Sequence, residues 1–301
     1  MSENTNNTLA NEIDAIIAQA MAEYAAAKGT PIFQDEVRVD ANVTPEPQIE
    51  EPEIINAEIP VNSSSVLIEE TTSRFSGAVW FENIKSKNVT LAGLGGIGSY
   101  VAFLIARLHV NTLTIYDDDV VESGNMSGQL YGLNDIGLLK ANATYRNVAQ
   151  FADYHNVNVF QERFGSQSAH TNIMICGFDN MVARRIFFDT WLRDLPDSGD
   201  KSDYLFIDGR LAAESLQVFC IRGDDDYNIK RYREEFLFSD AEADETICSY
   251  KQTTFMANMI GSIITNLFVN FCANQCDVLV PRDMPFLTEY SAETMYFKVT
   301  N

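Results

Sequence analysis

The stretch NVTLAGLGGIGSYVAFLIARLHVNTLTIYDDD, residues 88–119, decides the fold of this chain. It opens with an apolar run typical of a short buried strand, turns at the glycine-rich segment 93–98, and then repeats apolar residues at helical spacing over 99–109. A second β-rich run, 112–116, ends on Asp117. The order strand, glycine turn, helix, strand and acid predicts a nucleotide-binding unit, because the turn and the helix N-terminus hold phosphates and the acid binds ribose hydroxyls.

The residues after this unit alternate between strand and helix patterns. The sequence predicts strands at 157–160, 172–176, 204–207 and 216–221, helices at 134–151 and 180–193, a charged loop at 224–246 and a long closing helix at 253–276. We therefore expect an α/β fold with a doubly wound, mostly parallel Rossmann-like sheet and helices on both faces.

The N-terminal part of the chain has a different composition. Residues 1–70 contain 14 acidic and 2 basic side chains. We expect a largely disordered acidic segment over 1–72, with an amphipathic helix at 8–28 that docks on a partner and an extended Pro/Glu linker at 35–70 that serves as a solvated spacer. The folded domain is expected over 73–301.

Composition excludes several classes of function. The net charge of −22 disfavours binding to nucleic acid or to an anionic membrane, because both need an excess of Lys and Arg. The longest apolar run, 255–273, is interrupted by three asparagines and predicts a buried helix. No basic region followed by an apolar core opens the chain, and its five cysteines suit a reducing compartment, so we expect a cytoplasmic protein.

Five sequence motifs, of which the glycine turn is the first, occur in a fixed order. They are GLGGIGS at 93–99, DxDxV at 117–121, Asn125 with Gln129, Gly137 with Lys140, and CGFDN at 176–180 followed by Arg184. Together they resemble the ThiF/MoeB superfamily, the adenylating enzymes related to the ubiquitin activators, over about residues 74–275. A compact domain behind a long acidic segment is also similar to ThiF-like proteins of bacteriophages and mobile elements.

The resemblance implies a reaction. ATP would bind the glycine turn, and the C-terminal carboxylate of a small ubiquitin-like protein or peptide would attack the α-phosphate to give an acyl-adenylate and pyrophosphate. Mg²⁺ and nearby cations would neutralise charge as the reacting centre forms. The family also implies a homodimer.

The resemblance also implies roles for single residues. Asp117 would hold the ribose, Asn125 and Lys140 would contact phosphates, Asp179 would bind Mg²⁺, and Arg74 would reach the ATP of the partner protomer. The implied ATP-binding set is Gly93, Gly95, Gly96, Ile97, Gly98, Asp117, Asp119, Asn125, Gln129, Lys140, Asp179 and Asn180.

Each role has a structural alternative. Asp117 and Asp119 could be turn acids, Lys140 a solvated helix residue, and Asp179 the N-cap of the next helix. Arg74 and Arg184 could both be surface arginines.

The chain departs from the family pattern at Gly128. Family members commonly carry an arginine three residues after the loop asparagine. Its loss could slow adenylation, or it could abolish adenylation so that only nucleotide binding remains. The two C-x-x-C pairs of the family's structural zinc site are also missing, so we expect no zinc. Cys272 and Cys276 lie one helical turn apart and are expected to pack rather than bind metal.

Cys248 resembles the cysteine to which some family members transfer the acyl group. A thiolate near a helix N-terminus would be favoured, but a cysteine at such a margin is also commonly a small buried hydrophobe.

Three hypotheses remain open from the sequence. The first is ATP-dependent adenylation of a protein or peptide C-terminus. The second is a catalytically degenerate ATP-binding interaction protein, indicated by Gly128. The third, a nicotinamide-dependent oxidoreductase, rests on the glycine turn alone.

Overall fold

The computed structural model describes residues 71–238, 253–277 and 280–301. The predicted amphipathic helix at 8–28, the linker at 35–70 and Cys248 lie outside the described residues.

The described part of the chain forms an eight-stranded sheet with the spatial order β3-β2-β1-β4-β5-β6-β7-β8. Its strands are β1 Asn88–Ala92, β2 Thr112–Tyr116, β3 Val157–Phe160, β4 Ile173–Cys176, β5 Leu205–Ala212, β6 Ser215–Arg222, β7 Leu287–Ser291 and β8 Tyr296–Thr300. Strands β3, β2, β1, β4 and β5 pair in parallel, and β6, β7 and β8 extend the sheet by antiparallel pairing. The predicted Rossmann-like core is confirmed.

Six α-helices connect these strands in the described residues. They are α1 Val79–Lys85, α2 Gly96–Arg107, α3 Lys140–Ala152, α4 Met181–Arg193, α5 Asp226–Arg231 and α6 Thr254–Asn274. Helices α2, α3 and α6 cover one face of the sheet, and α4 and α5 cover the other. Because the chain leaves β1 and β4 toward opposite sides of the sheet, a crevice is expected between their carboxyl ends.

Strand β5 shows how one run of residues serves both cores. Leu205 and Ile207 belong to the core under α2 and α6, while Phe206 packs against Phe188 and Trp191 of α4. This period of two is the ordinary side-chain alternation of a strand. It places the next even-numbered side chain, Asp208, on the α4 face.

Helix α6 is the helix of the described residues that is long and apolar enough to cross a membrane by length and composition. It packs instead on α2 and the sheet, where Ile260, Ile264 and Phe268 are fully buried. Gly261 allows the close approach, since a Cβ there would lie 2.9 Å from the Cβ of Tyr100. The buried helix predicted here is confirmed.

The predicted charged loop at 224–246 is wrong over its first part. Helix α5 and a π-helical turn, Tyr232–Phe236, lie within it. The side chain of Asp225 accepts a hydrogen bond from the Asn228 backbone N–H and caps α5, and Tyr232 is completely buried. Tertiary burial of one aromatic side chain therefore outweighs the local polar composition.

The helix predicted at 134–151 begins later, at Lys140. A short 3₁₀ turn, Leu133–Asp135, precedes it, and Gly137 adopts a left-handed conformation at φ +89°. A positive φ interrupts a right-handed helix, which separates the two elements.

Candidate functional site

A cavity of about 1170 Å³ runs along the edge of the sheet at which β1, β2, β4 and β5 end, here called the carboxyl edge. Residues from all eight strands or their following turns line it, from Arg163 after β3 to Lys298 in β8. Among the residues implied by the sequence, the cavity is lined by Gly93, Gly95, Gly96, Ile97, Asp117, Asp119, Gln129, Lys140, Asp179 and Asn180.

Three glycines fix the shape of the turn after β1. Gly93 has φ +83°, and a Cβ on Gly98 would lie 1.8 Å from the Gly93 carbonyl oxygen. A Cβ on Gly177, in the turn after β4, would lie 2.5 Å from the same oxygen. These glycines are required by backbone packing, with or without a ligand.

Gly95 has a different environment. A Cβ there would meet only the Nε2 atom of Gln129, at 3.9 Å, so the glycine faces open space in the cavity. Helix α2 begins at the next residue, and no side chain caps its N-terminus. The Oε1 atom of Gln129 is buried and accepts no hydrogen bond from the described residues. An uncapped helix start and a buried acceptor without a donor fit a polyphosphate ligand that carries hydroxyl groups.

The Asp117 carboxylate closes the base of this site. One oxygen accepts the Leu94 backbone N–H at 2.6 Å and the other accepts the Asp119 backbone N–H at 2.9 Å. Burial raises the pKa of Asp117, and these two hydrogen bonds oppose that rise. The residue thus acts as a turn acid and also lines the cavity, and its role at a ribose stays a prediction.

Lys140 lies close to these aspartates. Its Nζ donates to Asp119 Oδ2 at 2.8 Å, and its backbone N–H donates to the Asp119 carbonyl at 2.8 Å. Only 7% of the residue is exposed, so the alternative of a solvated helix residue is wrong. The ammonium group is held in place beside the glycine turn.

Asp179 and Asn180 follow β4, and their side chains have different environments. The Asn180 side chain accepts the Ala183 N–H at 2.8 Å and caps α4, so Asp179 is not the helix cap. Asp179 is exposed in the cavity, and Asn180 Nδ2 donates to it at 3.3 Å. A carboxylate with this much free capacity can ligate a hard divalent cation.

A cluster of three aspartates also lies in the cavity. Asp117, Asp118 and Asp119 bring ligand atoms within 4.8 Å of one another. Lys140 pairs with Asp119, and Arg163 Nε donates to Asp118 Oδ2 at 2.9 Å. Two of these three negative charges are therefore already compensated, and cation binding by Asp179 stays a prediction.

Three of the predicted residues that the structure describes do not line the cavity: Gly98, Asn125 and Arg74. Asn125 Oδ1 accepts the Glu122 backbone N–H at 2.8 Å and thereby stabilises the 3₁₀ turn Ser123–Ser127. Arg74 is exposed and precedes α1, whose Asn83 contacts the C-terminal part of α6 through Cys272. A contribution of Arg74 to a partner protomer's site stays a prediction. Gly128, at the position of the expected arginine, is buried.

Arg184 is 5% exposed, so it is not a surface arginine. Its Nη1 pairs with Asp208 Oδ1 and also donates to the Gly209 carbonyl at 3.1 Å. Asp208 is fully buried and also pairs with Arg210, which lines the cavity. Asp208 and Arg210 lie beyond the predicted end of β5 at residue 207, so they are not among the predicted site residues. The alternating pattern IDGRLA, with charges at every second residue, was the available signal.

Comparison with known proteins gives the family. A family model described as ThiF family matches residues 67–275. A probable molybdopterin-synthase adenylyltransferase of Porphyra purpurea is 32% identical over 117 residues, which are 37% of this chain and 31% of that protein. The ubiquitin-like modifier-activating enzyme 5 of Oryza sativa subsp. japonica is 29% identical over 219 residues, 62% of this chain and 48% of that protein. The chain thus spans less than half of each of these relatives.

Solved structures share the fold. The crystal structure of PaaA superposes with a TM-score of 0.60 at 15% identity, covering 99% of this chain and 86% of that one. The structure of E. coli MccB with ATP gives 0.52 at 13% identity, covering 74% and 66%. The residues matched by the family model include the glycine turn, Asp117, Lys140 and Asp179, all of which line one cavity. This chain belongs to the ThiF family.

Proposed function

We propose that this chain uses ATP to adenylate the C-terminal carboxylate of a small protein or peptide, giving an acyl-adenylate and pyrophosphate. The observation that carries the proposal is the single cavity along the carboxyl edge. One half contains the glycine turn, Asp117 and Lys140, the other half lies over β5 to β8, and Asp179 follows the strand between them.

The length of the cavity suits two substrates bound side by side. All eight strands from β3 to β8 border it, and at about 4.8 Å between neighbours they span roughly 34 Å. A nucleotide at the glycine turn leaves room over β5 to β8 for an extended peptide, which advances about 3.3 Å per residue. The peptide terminus would then meet the α-phosphate beside β4.

The residues of this chain have separate tasks in the reaction. Gly95 and the start of α2 receive the phosphates, Asp117 orients the ribose, and Lys140 offsets negative charge as the carboxylate attacks. Asp179 would hold Mg²⁺, which supplies further charge neutralisation at the phosphates when bound. The bond between the α- and β-phosphates breaks in this step, and pyrophosphate departs with the negative charge that this cleavage leaves on its oxygen.

The class of peptide substrate follows from the similar proteins. E. coli MccB has been solved with MccA, and several relatives are named ubiquitin-like modifier-activating enzyme 5. We therefore propose a small carrier protein or peptide with a free C-terminus as the partner of this chain, in the cytoplasm and without nucleic acid or membrane. Assembly as a homodimer, with Arg74 acting on the partner's ATP, belongs to the same proposal.

Transfer of the acyl group to a thiol is a separate step of the proposal. Cys248 is its candidate acceptor, and the acyl-adenylate would lose AMP as the thioester forms. Cys248→Ser should leave pyrophosphate release intact and abolish any thioester that is sensitive to reducing agents.

The first experiment is calorimetry of ATP with Mg²⁺ on the full chain, followed by Asp179→Ala and Asp117→Ala. We expect binding that weakens at least tenfold in each variant, with circular dichroism unchanged. Pyrophosphate exchange in the presence of candidate peptides then tests catalysis. Intact folding without any ATP binding would contradict the proposal.

A second candidate function is an ATP-binding interaction protein without catalysis. Gly128 favours it, because the arginine expected there would neutralise the phosphates. ATP binding that depends on Asp179, with no pyrophosphate exchange for any carrier, would select this alternative. Restoring the charge with Gly128→Arg should then raise exchange from background.

A further inference from the structure

The half of the cavity over β5 to β8 has a floor of four side chains. Arg210 pairs in register with Gln217, Gln217 with Glu289, and Glu289 with Lys298. Residues paired across neighbouring strands project from the same face of a sheet, and all four line the cavity. We call this set the polar row.

Three members of the polar row satisfy one another. Gln217 Nε2 donates to Glu289 Oε1 at 3.0 Å, and Lys298 Nζ lies 3.4 Å from Glu289 Oε2. The charges of Glu289 and Lys298 offset each other. Arg210 is the member whose charge is not balanced within the row.

The buried partner of Arg210 does not balance it either. Asp208 Oδ1 pairs with Arg184, and Asp208 Oδ2 accepts from Arg210 Nε at 2.8 Å and from the Tyr232 hydroxyl at 2.9 Å. Burial raises the pKa of Tyr232 far above its ordinary value, so this hydroxyl stays neutral. Two guanidinium groups therefore share one buried carboxylate.

The geometry directs the charge of Arg210 into the cavity. Arg184 is almost completely enclosed, whereas the Arg210 side chain is 14% exposed. The guanidinium lies 4.6 Å from the ring centre of Phe219, and its Nη2 donates to the Phe236 carbonyl at 2.8 Å. Its Nη1 donates no hydrogen bond within the described part of the chain. The side chain is therefore rigid and has donor capacity to spare.

We propose that Arg210 binds a carboxylate of the peptide substrate, and that the polar row is the subsite for the residues next to the peptide C-terminus. This rests on the proposed function and deepens it by naming an acidic peptide as the substrate class. A planar guanidinium held on one side recognises a carboxylate through its remaining N–H groups. A fixed positive charge favours a carboxylate over the corresponding uncharged amide, although the net charge of the whole chain is −22.

The test is a binding experiment that needs no turnover. The full chain with a non-hydrolysable ATP analogue is incubated with a library of randomised hexapeptides, made once with free C-terminal carboxylates and once with C-terminal amides. Retained peptides are sequenced. We expect at least tenfold enrichment of Asp or Glu over Asn or Gln near the C-terminus, and its loss in Arg210→Gln.

Two variants serve as controls. Arg210→Lys keeps the charge and should keep part of the preference, and Asp208 retains Arg184 and Tyr232 in both Arg210 variants. Arg163→Gln removes a cavity arginine beside Asp118 at the nucleotide end and should leave the preference unchanged.

The two libraries distinguish the source of the carboxylate. An Asp or Glu preference that persists in the amide library assigns Arg210 to a side chain. Retention that needs only the free terminus and is lost in Arg210→Gln assigns Arg210 to the terminal carboxylate and contradicts an acidic substrate class, so only the side-chain result supports the proposal. Retention of no peptide, or a profile unchanged by Arg210→Gln, would overturn it. Pyrophosphate exchange is measured separately, so a failed adenylation does not decide this question.

Discussion

Gly93 and Gly177 face each other so closely that a Cβ on Gly177 would lie 2.5 Å from the Gly93 carbonyl oxygen, and a Cβ on Gly93 would lie 2.7 Å from the Gly177 carbonyl carbon. This contact joins the turn after β1 to the turn after β4. The glycine turn and the backbone leading to Asp179 are therefore one packed unit. Their relative position is set by two missing side chains.

Gly177→Ala tests that unit. The added methyl group has backbone on the opposite side and must displace it, so we expect the free energy of unfolding to fall by about 1–3 kcal/mol. Urea unfolding measures the change. Gly165→Ala is the matched control, because its Cβ would meet only Ser168 Oγ at 4.0 Å. Equal stability of the two variants would contradict the packed unit.

Gly95→Ala should separate binding from folding. Its Cβ would enter open space in the cavity, so we expect a free energy of unfolding within about 0.5 kcal/mol of the parent chain. The methyl group would occupy the approach of the phosphates, and ATP affinity by calorimetry should fall at least tenfold. Gly124→Ala, which has no neighbour within 4 Å, should change neither quantity. A Gly95→Ala chain that binds ATP normally would remove Gly95 from the site.

Lys140 and Lys87 form a matched pair. Each ammonium group pairs with one aspartate and is mostly buried, but Lys140 lines the cavity and Lys87 precedes β1 at the other edge of the sheet. Lys140→Gln should weaken ATP binding at least tenfold, because a phosphate charge loses its partner. Lys87→Gln should leave the affinity unchanged. If both variants bind ATP equally well, Lys140 has no role at the phosphates.

Asp208→Asn should be the most destabilising of these substitutions. It leaves two enclosed guanidinium groups without their counter-charge, and breaking a buried ion pair costs about 3–5 kcal/mol. Asp194→Asn is the control: its carboxylate is 46% exposed, and surface pairs contribute about 0–1 kcal/mol. Chemical unfolding of both variants gives the comparison. A loss for Asp208→Asn as small as the control's would mean that the guanidinium groups find water or another anion.

The pKa of Asp117 gives stability a particular pH dependence. Because burial raises this pKa, the folded chain holds the proton more tightly than the unfolded chain. The contribution of Asp117 to the free energy of unfolding therefore falls as the pH rises from about 3.9 through the folded value, and it stays low above that value. The stability of Asp117→Asn relative to the parent should increase over the same interval. Urea unfolding at a series of pH values measures this difference, and a difference that shrinks with rising pH would contradict the shift.

Local signals explain which parts of the fold could be predicted. The glycine turn and its flanking strands carry apolar runs and glycines that define structure within a few residues. Strand β7, with the sequence LTEYS, has no such signal, and its pairing with β6 is a contact between distant parts of the chain. Helix α5 was missed for the same reason, since Tyr232 is buried by other segments.

The site was predictable to the same extent. Asp117, Lys140 and Asp179 follow or begin regular elements, so the order of strands brings them to one edge. Asn125 was assigned by motif alone, and its side chain is occupied by the turn that it stabilises. Arg210 was overlooked because charged residues after an apolar run resemble a loop, and its burial depends on Asp208 beneath it.

Helix α6 is attached to other segments at both of its ends. Its first residue, Thr254, donates from Oγ1 to the Ser127 carbonyl at 2.5 Å beside the cavity, and the Cys272 carbonyl accepts from Asn83 near its far end. Inserting one residue between these contacts would rotate the remainder by about 100° and lengthen it by about 1.5 Å. One of the two attachments would then be lost. These two contacts therefore fix the number of residues between them, and we expect insertions to be tolerated only outside this helix.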